Sequence, residues 1–138
     1  MKKPGRLIAV VSFGWLLVCS CAEGSGFPNP PKSAATREEL VKHFGTTIGF
    51  GHVAKWEFTT AGRDLMVFSY CPYSGRAVCY VHAYYRSRAQ QAWILFIDRL
   101  IEPAIKLSAE ISGDDHLLVL KDMEGKVVVK QSIQSLPR

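Results

Sequence analysis

The sequence lacks the short motifs that mark hydrolases, nucleotide-binding proteins and thiol–disulfide oxidoreductases. It contains no HExxH, G-x-S-x-G, P-loop or C-x-x-C pattern, and each of these patterns sets a metal ligand, a nucleophile or a phosphate-binding loop at a fixed spacing. The four histidines are scattered without the spacing of metal ligands. We therefore predict no catalytic residue, no metal site and no cofactor, and we expect that the protein is not an enzyme.

The sequence also lacks an apolar stretch that would span a membrane comfortably. Residues 7–18 form an apolar run of twelve, interrupted only by Ser12 and Gly14, whereas a transmembrane helix needs about twenty. The residues before the run are basic and those after it are small: Lys2, Lys3 and Arg6, then Ser20 and Ala22. This layout is typical of a secretory signal peptide, which we predict in residues 1–20.

The segment Val18-Cys19-Ser20-Cys21 resembles the lipobox of bacterial lipoproteins, in which a cysteine becomes the lipid-bearing first residue of the mature chain. The resemblance is confined to the start of the chain and implies that Cys21 is lipidated. Because Ala22 rather than an aspartate follows Cys21, the resemblance also implies an outer-membrane protein that faces the periplasm. Two alternatives stay open: cleavage after Ala22, which would give a soluble periplasmic or secreted protein, and an uncleaved anchor.

Once the leader is removed, the net charge of the chain is small. The whole chain carries a formal net charge of +5, and without the three basic residues of the leader fourteen basic and twelve acidic residues remain, a net charge of +2. No basic stripe is left, which argues against nucleic acid as a partner. Residues 21–35 are rich in Gly, Pro and Ser and are predicted to tether the lipid to a single domain, residues 36–138.

Residues 65–85 are predicted to form a β-hairpin around which the domain is organised. Cys71 and Cys79 lie symmetrically about Gly75, so a register that opposes them leaves residues 74–76 as a three-residue loop. The same register opposes six further pairs: Leu65–Tyr85, Met66–Tyr84, Val67–Ala83, Phe68–His82, Ser69–Val81 and Tyr70–Tyr80. Opposed cysteines in an oxidising compartment are predicted to form a disulfide. Two buried reduced cysteines are the alternative.

The rest of the domain is predicted to be one helix followed by strands. Thr36 and Glu39 form a capping box at the start of a short helix that Gly45 ends. Strands are expected at 53–59, 92–100, 105–111, 116–120 and 127–133, with a helix as the alternative at 92–100. The fold class is therefore α+β and mostly β. One short N-terminal helix is expected to pack on an antiparallel meander of about seven strands, in a curled sheet or half-barrel.

The candidate binding surface is aromatic. It consists of residues on one face of the hairpin and at its tip: Tyr70, Tyr80, His82 and Tyr84 on the face, and Tyr73 and Arg76 at the tip. Two further arginines, Arg86 and Arg88, follow at the base of the hairpin. Tyrosine and arginine are over-represented at binding hot spots, so we predict partner binding here. The alternative is that the aromatic face is core beneath the helix.

These predictions favour a small periplasm-facing lipoprotein that acts as a protein-binding or inhibitory module. Its size, location and disulfide-bearing β body are similar to those of immunity proteins and envelope lysozyme inhibitors, a likeness by analogy. The expected partner is another protein (a toxin, a lysozyme-like enzyme or a component of an envelope complex), and membrane contact is expected through the N-terminal lipid. A structural accessory lipoprotein of a secretion or conjugation complex and a carrier of a small apolar ligand are the alternatives.

Overall fold

A computed structural model describes residues 29–47, 51–73, 75–114 and 116–138. The predicted signal peptide, the lipidation site Cys21 and residues 21–28 of the predicted tether lie outside the described residues, as does Ser74 at the hairpin tip. Among the described residues, no helix has the length and apolar character needed to cross a lipid bilayer.

The described chain is mostly β with one short helix, as predicted. Its elements follow one another in this order: β1 Ser33–Ala34, α1 Arg37–Thr47, β2 His52–Thr60, β3 Arg63–Cys71, β4 Cys79–Ser87, β5 Ala92–Ile101, β6 Ser108–Ser112, β7 Leu117–Lys121 and β8 Val127–Ser132. Seven of these strands follow the helix, which agrees with the predicted number. The strand interpretation of residues 92–100 is confirmed, and the helical alternative is wrong.

The strands form two antiparallel sheets. One has five strands in the order β1-β5-β4-β3-β2, and the other has three in the order β8-β7-β6. From β2 onwards, each strand pairs with the next one except between β5 and β6, so the expected meander is divided at that point. Strand β5 lies next to the edge of its sheet, because its outer side pairs only with the two residues of β1.

The register of the β3–β4 hairpin is the one that the cysteine spacing predicts. All six predicted pairs, from Leu65–Tyr85 to Tyr70–Tyr80, are observed. Cys71 and Cys79 are joined by a disulfide with an S–S distance of 2.06 Å and a Cα–Cα distance of 4.2 Å. The hairpin lies inside the five-stranded sheet, with β5 on one side and β2 on the other. It is therefore the central part of the fold.

The two faces of the five-stranded sheet bury different clusters, because successive side chains of a strand point to opposite faces. On one face, Leu65 and Val67 of β3 pack in a cluster shared with Leu118 and Leu120 of β7. This shared cluster holds the two sheets together. On the other face, the helix packs on residues of β3, β4 and β5, in a cluster that includes Leu40, Phe44, Met66, Phe68, Tyr84 and Trp93.

The helix is held by its cap and by its buried face. The Glu39 N–H donates to Thr36 Oγ1 at 3.2 Å, and Glu39 Oε1 accepts from the Ala35 N–H at 2.9 Å. The predicted cap is therefore present, but the Glu39 carboxylate accepts from the N–H of Ala35 and not from that of Thr36. Leu40 and Phe44 are buried, and burial of a side chain of this size is worth about 1.5–3 kcal/mol. The predicted end at Gly45 is wrong, since the helix continues to Thr47.

An ion pair joins the helix to the edge strand β2. Arg37 donates from Nε and Nη2 to the two carboxylate oxygens of Glu57, at 2.7 and 2.5 Å. The hydrogen bonds from Arg37 lower the pKa of Glu57 to about 2, so the pair stays charged over the physiological range. Both side chains are partly exposed to solvent, where ion pairs add little stability.

The last residues of the predicted tether take part in the fold. Ser33 and Ala34 pair with Ile94 and Trp93 of β5. The Leu95 N–H donates to the Lys32 carbonyl at 3.0 Å. Just before these residues, the Tyr84 hydroxyl donates to the Pro31 carbonyl at 2.7 Å. The folded body therefore begins near Pro31.

Candidate functional site

The tip of the β3–β4 hairpin presents an aromatic ring and a cation to solvent. Tyr73 is 78% exposed, and Arg76 is exposed as well. Directly behind them, Cys71 and Cys79 are buried and joined by the disulfide. The tip is therefore an exposed loop that rises from a covalently closed, buried base.

Two contacts brace the tip against the segment that follows β5. The Ala104 N–H donates to the Ala77 carbonyl at 2.8 Å, and Arg76 Nη2 donates to Glu102 Oε2 at 2.8 Å. The hydrogen bond to Glu102 raises the pKa of Arg76, which keeps the guanidinium charged. The ion pair is exposed to solvent on both sides, so a carboxylate from another molecule could replace Glu102 at little cost.

The aromatic face divides into buried and accessible residues. Tyr84, His82 and Tyr70 are at most 5% exposed, whereas Tyr80 is partly exposed. Phe44 of the helix stacks over this face, with its ring centroid 5.6 Å from that of His82. Tyr84 therefore belongs to the core beneath the helix and His82 lies against it, whereas Tyr70 is buried near Gly51. Of the six predicted contact residues, the structure leaves Tyr73, Arg76 and part of Tyr80 available to a partner.

His82 and Asp98 form a pair across β4 and β5. His82 Nε2 lies 2.9 Å from Asp98 Oδ1. Burial lowers the pKa of His82 to about 4, against the opposing effect of the Asp98 charge. The imidazole is therefore neutral at pH 7 and donates its Nε2–H to the carboxylate. Such a pair orients a general base, but Cys79 lies on the opposite face of β4 and its sulfur is held in the disulfide, so it is not available as a nucleophile.

A pocket of about 540 Å³ lies at the other end of the hairpin. Its walls come from the β2–β3 turn with the first residue of β3, from the end of β4 with the connection that follows it, and from residues 134–138. Four of its nine lining residues are arginines and none is acidic: Arg63, Arg86, Arg88 and Arg138. We refer to it as the arginine pocket.

Local structure explains how the arginines reach one another. Thr60 pairs with Arg63 across a two-residue turn in which Ala61 and Gly62 have φ of 53° and 72°, the left-handed values that a tight hairpin requires. Arg63 then donates to the Leu136 and Pro137 carbonyls, at 2.5 and 2.6 Å. Arg63 therefore fixes the last residues of the chain against the turn.

Sequence reasoning found only part of the arginine pocket. Arg86 and Arg88 are predicted at the base of the hairpin, whereas no pattern in the sequence singles out Arg63. The hairpin register, extended two residues beyond Leu65–Tyr85, places Arg63 opposite Ser87, whose neighbours in the chain are Arg86 and Arg88. The position of Arg138 depends on how the last residues pack, for which the sequence carries no signal.

Comparison with family models, with curated proteins and with solved structures found no match to this chain. Among the described residues, no group of three or more His, Cys, Asp and Glu side chains is arranged to hold a metal ion.

Proposed function

We propose that this protein is an exported lipoprotein that binds another protein through the tip of its β3–β4 hairpin. The observation that supports this most strongly is the exposure of Tyr73 and Arg76 on a loop whose base is a buried disulfide. Tyrosine and arginine are frequent among residues that dominate binding energy. A loop whose base is closed by a covalent cross-link has less conformational entropy to lose when it docks.

Export to an oxidising compartment is the second part of the proposal. The predicted signal peptide and Cys21 support it, and so does the Cys71–Cys79 disulfide, because disulfides persist outside the cytoplasm. With a lipid on Cys21, the residues before Pro31 reach roughly 30 Å when extended. This length would keep the folded body close to the outer membrane, facing the periplasm.

An inhibitory role is the form of binding that the tip suits best. A lysozyme-like enzyme carries two carboxyl groups in a cleft, and the exposed Tyr73 and Arg76 offer it an aromatic ring and a positive charge. Arg76 would exchange its exposed partner Glu102 for a carboxylate of the enzyme. The arginine pocket gives no support to carriage of an apolar ligand.

We also propose that the domain has the form of a curled sheet or half-barrel. It is supported by the buried cluster that residues of both sheets share, such as Val67 and Leu120. In this form the two sheets and the disulfide together provide a stiff support for the tip.

The test is partner binding by the mature chain and by the double variant Tyr73→Ala/Arg76→Ala. Tagged protein is used to capture partners from envelope extract and culture fluid, and affinity for each purified partner, and for a purified lysozyme, is then measured. We expect the double variant to bind at least tenfold more weakly, about 1.4 kcal/mol, with a nearly unchanged melting temperature because both side chains are exposed.

A matched control is Arg99→Ala/Met123→Ala, which removes one exposed cation and one exposed apolar side chain elsewhere on the surface. This control should bind as the unmodified chain does. Equal affinity of the tip variant and the unmodified chain for every captured partner would retire the proposal.

A further inference from the structure

We propose that the arginine pocket binds a phosphomonoester, that is, a phosphate group carried on a small organic moiety. The pocket and the hairpin tip lie at opposite ends of β3, which has nine residues and therefore spans roughly 25–30 Å. The inference is thus independent of the protein-binding role proposed for the tip.

The first observation is uncompensated charge. The pocket contains four arginines and no acidic side chain, and none of the six ion pairs among the described residues includes any of these arginines. A carboxylate at the end of the chain would cancel part of this charge and would still leave the pocket positive. Guanidinium groups that converge without a counter-charge repel one another, and a bound dianion removes that repulsion.

The second observation is that hydrogen bonds within the fold hold two of the arginines in place, while the guanidinium N–H donors of the other two are not used by the fold. Arg63 bonds two carbonyls and lies 5.5 Å from the Tyr85 ring centroid, and Arg88 Nη2 donates to the Gly62 carbonyl at 3.0 Å. The guanidinium groups of Arg86 and Arg138 make no hydrogen bond with a described residue. A guanidinium has five N–H donors in a planar fork that fits two oxygens of a phosphate. The lining of the pocket therefore combines two arginines that the fold holds in place with two whose donors are available.

The third observation is the size and composition of the pocket. A volume of about 540 Å³ is within the range of small-molecule sites and much larger than a bare oxyanion needs. Leu136 and Pro137 contribute apolar surface beside the arginines. The pocket can therefore accept an organic group together with the phosphate. The organic moiety could belong to a soluble sugar phosphate or to a lipid headgroup.

The test measures binding of glucose 6-phosphate by calorimetry, and co-sedimentation with phosphatidylcholine vesicles that contain phosphatidic acid. Glucose and pure phosphatidylcholine vesicles are the controls, because neither carries a phosphomonoester. The ionic strength is held constant, because salt screens the attraction between surface charges. We expect saturable binding in at least one arm. Binding of glucose 6-phosphate assigns a soluble ligand, and sedimentation with phosphatidic acid alone assigns a lipid headgroup.

The variant Arg86→Gln/Arg88→Gln should weaken that binding by roughly tenfold or more, since each lost guanidinium removes charge-assisted hydrogen bonds. Arg138→Gln is a second variant. It should not disturb the fold, because the guanidinium of Arg138 makes no hydrogen bond with a described residue. The control Arg99→Gln/Lys106→Gln removes two exposed charges outside the pocket and should leave binding unchanged. Absence of binding in both arms, or an equal loss in the control, would overturn the inference.

Discussion

Removal of the Cys71–Cys79 disulfide should destabilise the fold by an amount that the structure allows us to divide into two parts. The bridge closes a loop with a sequence separation of eight, and the chain-entropy relation gives about 2.5 kcal/mol for a loop of this length. Both cysteines are buried, so replacement by alanine leaves small cavities that cost about 1 kcal/mol each.

The assay is urea unfolding with linear extrapolation, applied to three samples. Reduction of the unmodified chain should lower the free energy of unfolding by about 2.5 kcal/mol, which is a midpoint shift of roughly 1–2 M for a domain of this size. The double variant Cys71→Ala/Cys79→Ala should lose roughly 4–5 kcal/mol. The difference between the two samples isolates the packing of the sulfur atoms.

The internal control is the alanine variant itself, whose unfolding should not respond to the reductant. Coincident unfolding curves for the oxidised and reduced chain would refute the reasoning, because the cross-link would then not restrict the unfolded chain. A loss in the alanine variant no larger than that caused by reduction would refute the packing part alone.

Four other substitutions test local features by the same unfolding assay. Gly51→Ala should cost about 2 kcal/mol or more, because its Cβ would lie 2.7 Å from a Tyr70 ring carbon and 2.8 Å from the backbone; Gly45→Ala, in open space within the helix, should instead stabilise by about 1 kcal/mol. Ala61→Gly should stabilise by about 0.5–1 kcal/mol, since Ala61 has a φ of 53°. The pKa of His82 is lowered to about 4, below its unfolded value of about 6.5. The part of the stability that depends on a neutral His82 is therefore present above pH 6.5 and should fall by about 3 kcal/mol as the pH drops towards 4. The variant His82→Gln should largely remove this decline.

Each of these three predictions has a contradicting result. Equal effects of the two glycine substitutions would show that Gly51 is not in close contact, and a loss of stability in the Ala61 variant would show that the turn does not need a left-handed residue. An unchanged pH dependence in the His82 variant would show that other groups cause the acid destabilisation.

Local spacing predicted the parts of the fold that depend on residues close in sequence. The register of the hairpin followed from the symmetric placement of Cys71 and Cys79, and the start of the helix followed from the hydrogen-bonding capacity of Thr36. Both features depend on backbone geometry within a few residues. The helix continues past Gly45 because packing of Phe44 on the sheet outweighs the weak helix propensity of one glycine.

The parts that the sequence did not predict depend on contacts between distant residues. The division into two sheets could not be found because alternating strands look the same whichever sheet they join. The chemistry of Tyr84 suits a binding face and a core equally well. Only the position of the helix over it decides between the two. The arginine pocket joins Arg63, Arg88 and Arg138, which are brought together by a turn and by the packing of the last residues.

The central claim is that this chain matures outside the cytoplasm, where its hairpin is locked by oxidation. The most direct measurement is mass spectrometry of the protein recovered from the cell envelope, alkylated without reduction and then digested. We predict a mature chain that begins with a lipid-modified Cys21 and a linked peptide pair that contains Cys71 and Cys79, with neither thiol alkylated. Alkylated Cys71 and Cys79, or a chain that still carries residues 1–20, would contradict the claim.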